Sequence, residues 1–109
     1  MENLKKSRCV IGIKGQMPDP DYPVDIWFDS LKSVANVLSK ENQQLLKVIA
    51  EQQPQSLTEI ASISGRALSN VSRTLKTMEK HSIVEMIPNG NSVQVKVLAY
   101  NWLVVLGKL

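Results

Sequence analysis

The chain has 109 residues, of which 43% are apolar, and this size and composition predict one compact domain. Its single cysteine and single histidine are too few for an internal disulfide or for the four ligands of a structural zinc site. The formal net charge of +3 permits binding to nucleic acid without requiring it.

The charges are unevenly distributed along the chain. Residues 17–30 contain no cation, and they contain the four aspartates Asp19, Asp21, Asp25 and Asp29. These residues lack the glycine and glutamate of a calcium-binding loop, so we expect a solvated loop that would repel DNA. No apolar run approaches the roughly 20 residues of a membrane-spanning helix, and the amino terminus lacks a signal-peptide pattern. We therefore expect a cytoplasmic protein without a metal or other cofactor.

The first 25 residues are predicted to be a flexible segment. Residues 1–9 are polar and basic, residues 10–14 form a β-branched run typical of an edge strand, and residues 16–23 contain three prolines. Because proline fixes φ and removes a backbone donor, no helix is expected to cross that stretch. The folded domain is predicted to span residues 26–109.

Two helices are predicted in the first half of this domain. Residues 26–28 fit either a short strand or the first turn of a helix, and residues 31–38 carry apolar side chains at helical spacing. Ser39 is a suitable N-cap for a second helix, which Pro54 would end.

A short helix, a tight turn and a longer helix are predicted next. The segment Ser56-Leu57-Thr58-Glu59 matches a capping box, in which a serine and a glutamate satisfy each other's backbone donors. Gly65 would supply the turn because glycine tolerates a positive φ. The following helix should run from about residue 67 or 68 to His81.

The last third of the chain is predicted to be β-structure. Residues 83–87 and 92–98 are strand-like and flank Asn89-Gly90, a dipeptide that favours a type I′ hairpin turn. Residues 100–109 fit either a strand or a short helix, and a strand is favoured.

The longer helix has two contrasting sides when its residues are placed at 100° steps. One side is apolar and predicts the core face, with Leu68, Val71, Leu75 and Met78. The other side lacks carboxylates and is flanked by Asn70; its members are Arg66, Ser69, Arg73, Lys76, Thr77 and Lys80. A solvated helix usually mixes charges, so this composition favours contact with DNA over a merely solvated basic face.

These polar residues are predicted to divide between contacts with base edges and contacts with phosphates. Arg66, Ser69, Asn70 and Arg73 are near the start of the helix, which lies deepest in the major groove, and are candidates for base edges. Further along, Lys76, Thr77 and Lys80 are candidates for phosphate contacts. At the hairpin tip, Asn89 and Asn91 either donate to phosphate or simply form the turn.

Residues 58–84 have the sequence TEIASISGRALSNVSRTLKTMEKHSIV, which resembles the MarR-like winged-helix predicted transcriptional regulators of bacteria and archaea. The matching positions include Gly65-Arg66, Ser69 to Arg73 and Leu75-Lys76, and the resemblance covers roughly residues 26–106. It implies a winged helix-turn-helix fold and DNA binding. Two positions depart from the family: Ala67 replaces a helix-capping residue, and the hairpin lacks an arginine at its tip, so that Lys96 is its only cation.

Together these patterns predict an α+β winged helix-turn-helix protein with three to four helices and a C-terminal β-hairpin wing. We expect a sequence-specific regulator, repressor or activator, that binds double-stranded DNA. It should act as a homodimer through the apolar residues 26–38, residues 102–106, or both, because one recognition helix contacts too few base pairs. The alternative is a protein-binding winged-helix module, such as an antitoxin that binds a toxin or an assembly subunit. No enzymatic activity is expected, because Cys9 and His81 lack the acid and oxyanion motifs of a nucleophilic pair.

Overall fold

The computed structural model describes residues 8–17 and 19–107 and has an α+β fold that includes an antiparallel hairpin. Residues 1–7 of the predicted flexible segment lie outside the described residues. In chain order, the elements are β1 (Arg8–Ile13), β2 (Ile26–Phe28), α1 (Leu31–Val37), α2 (Lys40–Gln52), α3 (Leu57–Ser64), α4 (Leu68–Lys80), β3 (Val84–Asn89), β4 (Ser92–Val97) and β5 (Asn101–Val105).

The chain divides into two compact units. The sheet unit comprises the described residues up to 36 together with 99–107, and the helical unit comprises residues 37–98. The helical unit is thus shorter than the predicted domain of residues 26–109. None of the helices within the described parts of the chain is long and apolar enough to cross a membrane.

The sheet unit contains three parallel strands in the order β2-β1-β5. The prediction of an edge strand near residues 10–14 is wrong, because β1 is the central strand. Every residue of β1 after Arg8 is buried, which is typical of a parallel strand covered on both faces. Asp25 extends the pairing, since its carboxylate accepts from the backbone N–H of Val10 at 2.8 Å. The favoured strand interpretation of the C-terminal residues is confirmed for β5.

The helix ends of the helical unit follow the predicted capping residues. The Ser39 hydroxyl accepts from the Asn42 N–H at 3.2 Å, and Ser56 accepts from the Glu59 N–H at 3.0 Å. The Glu59 carboxylate reaches back to the N–H of Gln55, one residue before the N-cap, rather than to Ser56 itself. Gly65 ends α3 in the left-handed conformation with φ 73°.

The core of the helical unit contains three of the four residues predicted for the apolar side of α4. Val71, Leu75 and Met78 are fully buried, whereas Leu68 is 49% exposed. Side chains on a helix tilt toward its N-terminus, so the first helical residue points beyond the packed face. Leu68 is that residue, which explains its exposure.

The predicted hairpin is present, but its turn is displaced by one residue. Asn89 pairs with Ser92 across the strands, so the two-residue loop is Gly90-Asn91 and not Asn89-Gly90. Within this loop only Gly90 has a positive φ, of 64°. A two-residue loop with a positive φ only at its first position corresponds to a type II′ turn, with glycine where that turn requires it.

Candidate nucleic-acid interface

One side of α4 forms an open, shallow concavity, which we call the α4 face. It is lined by polar and basic side chains only: Ser69, Ser72, Arg73, Lys76, Thr77 and Lys80. All of these are exposed except Ser72, which is half-buried. The α4 face therefore carries three cations and three hydroxyls in one solvent-accessible patch.

The packing of α4 holds this face outward. The helix buries Val71, Leu75 and Met78 completely, so the residues on its opposite side are directed to solvent. Within the α4 face, the Thr77 hydroxyl donates to the backbone carbonyl of Arg73 at 3.1 Å.

Five residues predicted from the sequence come together on the α4 face: Ser69, Arg73, Lys76, Thr77 and Lys80. The prediction missed Ser72. This residue lies one turn before Lys76 on the helix, so the i, i+4 spacing was a signal that could have found it.

The start of α4 is open to an anion. The N-cap position is Ala67, and among the described residues no side chain caps this end of the helix. Ser69 does not take over the capping role. The free backbone N–H groups of a first turn, together with the helix dipole, favour a negatively charged partner such as a phosphate.

Arg66 does not lie on the α4 face, and its guanidinium is directed toward α2. It donates to the Asn42 side-chain oxygen at 3.0 Å, to the backbone carbonyl of Glu41 at 2.9 Å and to the Asn70 side-chain oxygen at 3.4 Å. Both Arg66 and Asn70 are half-buried. The structure thus separates these two predicted residues from the five on the α4 face and joins them to each other.

The hairpin tip is tied to the loop between α2 and α3. The Asn89 amide donates to the backbone carbonyl and the side-chain oxygen of Gln55, at 3.2 and 3.3 Å. The Ser92 hydroxyl donates to the Asn89 carbonyl at 2.9 Å, and its oxygen lies 3.4 Å from the same Gln55 carbonyl. Asn91, in the two-residue loop, is exposed.

Two carboxylates of the helical unit lie beside the candidate residues rather than among them. Glu79 on α4 accepts from the backbone N–H of Met86 in β3 at 3.4 Å. Glu85 lies opposite Lys96, the hairpin's cation, in the β3–β4 register. Neither carboxylate is among the residues that line the α4 face.

Cys9 is poorly suited to act as a nucleophile. Its side chain is buried in β1, and burial, followed by the negative charge of Asp25, raises the pKa of the Cys9 thiol from 9.0 to about 11. At neutral pH the sulfur is therefore a protonated thiol. In the described parts of the chain, no three histidine, cysteine or carboxylate side chains lie together as a metal site would need.

The model of the HVO_A0114 family matches residues 37–101, more than half of the chain. The chain belongs to the HVO_A0114 family. The region shared with the HVO_A0114 family contains the whole helical unit, and with it every residue of the α4 face. None of the curated proteins compared with the chain matches it.

Proposed function

We propose that this member of the HVO_A0114 family is a winged helix-turn-helix protein that binds double-stranded DNA as a homodimer and regulates transcription. The observation that carries the proposal is the α4 face, where three cations and three hydroxyls are grouped without a carboxylate. Such a surface suits phosphates and the acceptor-rich edges of bases.

The order of elements around α4 supports the proposal. A short helix, a turn at Gly65 and a longer helix form the unit that places a helix in the major groove, and the hairpin that follows corresponds to a wing. With 13 residues, α4 is about 20 Å long, and a helix fits within the roughly 12 Å width of the major groove.

Position along α4 divides the proposed contacts. Ser69, Asn70 and Arg73 belong to its first half, the part that lies deepest in the groove in helix-turn-helix proteins. Arg73 is the candidate for bidentate contact with guanine. Lys76 and Lys80 follow one and two turns later, where the helix emerges toward the phosphates.

A homodimer would provide two such helices for two half-sites about one helical turn apart. Apolar side chains that a second copy would cover remain exposed in the sheet unit, including Leu31 at 52% and Leu106 at 54%. Sedimentation that detects only monomer at micromolar concentration would contradict this part of the proposal.

The proposal is tested by selecting bound sequences from a pool of random duplexes and then measuring affinity by fluorescence anisotropy. Lys76, Thr77 and Lys80 of each protomer predict about six phosphate contacts per dimer, and the four made by lysines predict a slope of log K against log salt of about −4. Affinity should therefore fall on the order of a hundredfold between roughly 50 and 200 mM salt.

Two lysine variants distinguish a specific contribution of the α4 face from a general effect of the protein's net charge. Lys80→Ala removes two phosphate contacts per dimer, so the salt slope should fall in magnitude by about 2. Lys47→Ala removes an exposed lysine of α2 outside the α4 face and should leave the slope unchanged. Failure to select any duplex, or an affinity that does not depend on salt concentration, would contradict the proposal. Either result would favour the alternative that a protein partner, such as a toxin, binds at the α4 face.

A further inference from the structure

Arg66 and Asn70 were both expected to contact bases, yet their side chains contact each other. The nitrogen Nη1 of Arg66 lies 3.4 Å from Oδ1 of Asn70 and 3.0 Å from Oδ1 of Asn42. The nitrogen Nη2 lies 2.9 Å from the carbonyl oxygen of Glu41. A guanidinium is thus shared between the first turn of α2 and the first turn of α4.

The chemistry of arginine fixes which way the two asparagine amides face. A guanidinium has five donors and no acceptor, so only the oxygen of an amide can be turned toward it. For Asn42 a second contact supports this amide orientation, because the amide nitrogen Nδ2 donates to the carbonyl of Val37 at 3.1 Å. For Asn70 the same argument leaves Nδ2, with its two N–H donors, directed away from Arg66.

We infer that Arg66 is a positioning residue that holds Asn70 as a hydrogen-bond donor toward DNA, so that Asn70 selects guanine over adenine at one base pair of each half-site. This inference rests on the proposed DNA-binding function. Guanine presents two acceptors, O6 and N7, in the major groove, which suit the two hydrogens of one amide nitrogen. Adenine presents N7 and the donor N6, and its bidentate recognition by asparagine needs the amide oxygen that Arg66 already engages.

The experiment is selection from random duplexes, with base preference recorded at each position for the wild type and for single and double variants. Asn70→Ala should reduce the preference for guanine over adenine at one base pair, by on the order of tenfold. Arg66→Ala should weaken the same preference at the same base pair, because a released Asn70 amide can rotate and accept from adenine. The double variant should lose no more than Asn70→Ala alone, and Arg66→Lys, which keeps a donor, should retain part of the preference.

A matched pair of α2 variants tests positioning without altering Arg66 or α4. Asn42→Ala removes one acceptor of the guanidinium and should weaken the same preference partially. Gln43→Ala removes a neighbouring side chain, whose amide donates to the Leu38 carbonyl at 2.7 Å. Gln43 is not among the three acceptors of the Arg66 guanidinium described above, so this variant should leave the preference intact. Circular dichroism of each variant verifies folding, and Asn42→Ala supplies the test if Arg66→Ala does not fold.

Three results would overturn the inference. If Arg66→Ala relaxes a base pair different from the one that Asn70→Ala relaxes, Arg66 contacts DNA itself. If the wild type prefers adenine at the base pair that depends on Asn70, the amide oxygen of Asn70 is available to adenine and Arg66 does not restrict it. If the wild type selects no duplex at all, the proposed function fails and this inference fails with it, an outcome distinct from the other two.

Discussion

The turn between α3 and α4 sets the direction of the candidate recognition helix, and Gly65, the first residue of this turn, allows a quantitative prediction. Gly65 has φ 73° and ψ 13°, and its N–H donates to the Ala61 carbonyl at 3.0 Å. A Cβ built at this position meets no atom within 4 Å, so an alanine would be strained by its backbone alone. The left-handed conformation costs an L-residue about 1–2 kcal/mol, and the smaller conformational freedom of unfolded alanine offsets about 0.4–1 kcal/mol. Gly65→Ala should therefore lower the free energy of unfolding by about 1 kcal/mol.

Far-UV circular dichroism at 222 nm measures this change, because α2, α3 and α4 contain most of the helical residues. A loss of 1 kcal/mol should lower Tm by about 4–8 °C in a domain of this size. Gly65→Asn is the control: it also adds a side chain, but asparagine adopts the left-handed conformation more readily, so its Tm should fall less. An alanine variant as stable as the wild type, or an asparagine variant that is less stable than the alanine variant, would refute the strain argument.

Three further predictions concern a close contact in the sheet, the buried thiol and the hairpin tip. A Cβ on Gly12 would lie 2.8 Å from both Trp27 Cζ3 and Val24 Cγ2, so Gly12→Ala should lower the free energy of unfolding by about 1–3 kcal/mol. Urea unfolding followed by tryptophan fluorescence measures this loss, and adding Trp27→Leu should recover part of it. Because the pKa of Cys9 is about 11, its alkylation at pH 8 should be about 100-fold slower in the folded protein than in urea. Folding raises this pKa, so the wild type should lose stability relative to Cys9→Ala as the pH rises from about 9 to about 11, and a difference that grows below pH 9 would contradict the assignment. Asn89→Ala, which removes the contacts with Gln55, should lower Tm while changing DNA affinity less than Lys80→Ala does; the opposite order would show that the amide at the hairpin tip contacts DNA.

The helical unit was predictable because its signals are local. Ser39, Ser56 and Gly65 mark helix ends through bonds to residues within four positions, and the apolar and basic sides of α4 follow from helical spacing alone. Five of the six residues on the α4 face follow from that spacing. The same spacing also places Leu68 on the apolar side of α4, but spacing alone does not show that the buried core does not extend to the first residue of the helix.

The parts that escaped prediction depend on contacts distant in sequence. The position of β1 at the centre of the sheet is set by β5, whose residues lie more than 90 positions away, as in the pairing of Arg8 with Asn101. A short β-branched segment predicts a strand, but it does not predict which strands will pair with it on either side. The orientation of Arg66 depends likewise on Asn42, 24 residues earlier, whereas the helical wheel placed its guanidinium on the α4 face.

The contacts of the β3–β4 hairpin explain why the proposed DNA contacts are concentrated on α4. The hairpin's tip amide at Asn89 is already bonded to Gln55, and its cation Lys96 lies across from Glu85. A phosphate approaching the hairpin tip would have to replace the hydrogen bonds of Asn89 to Gln55, and it would meet the negative charge of Glu85 opposite Lys96. The lysines of the α4 face have no carboxylate beside them within that face. A hydrogen bond exchanged for another contributes little net free energy, while a cation that neutralises a phosphate also releases a counterion. Under the proposed function, the expected binding energy therefore lies mainly with Arg73, Lys76 and Lys80 rather than with the hairpin.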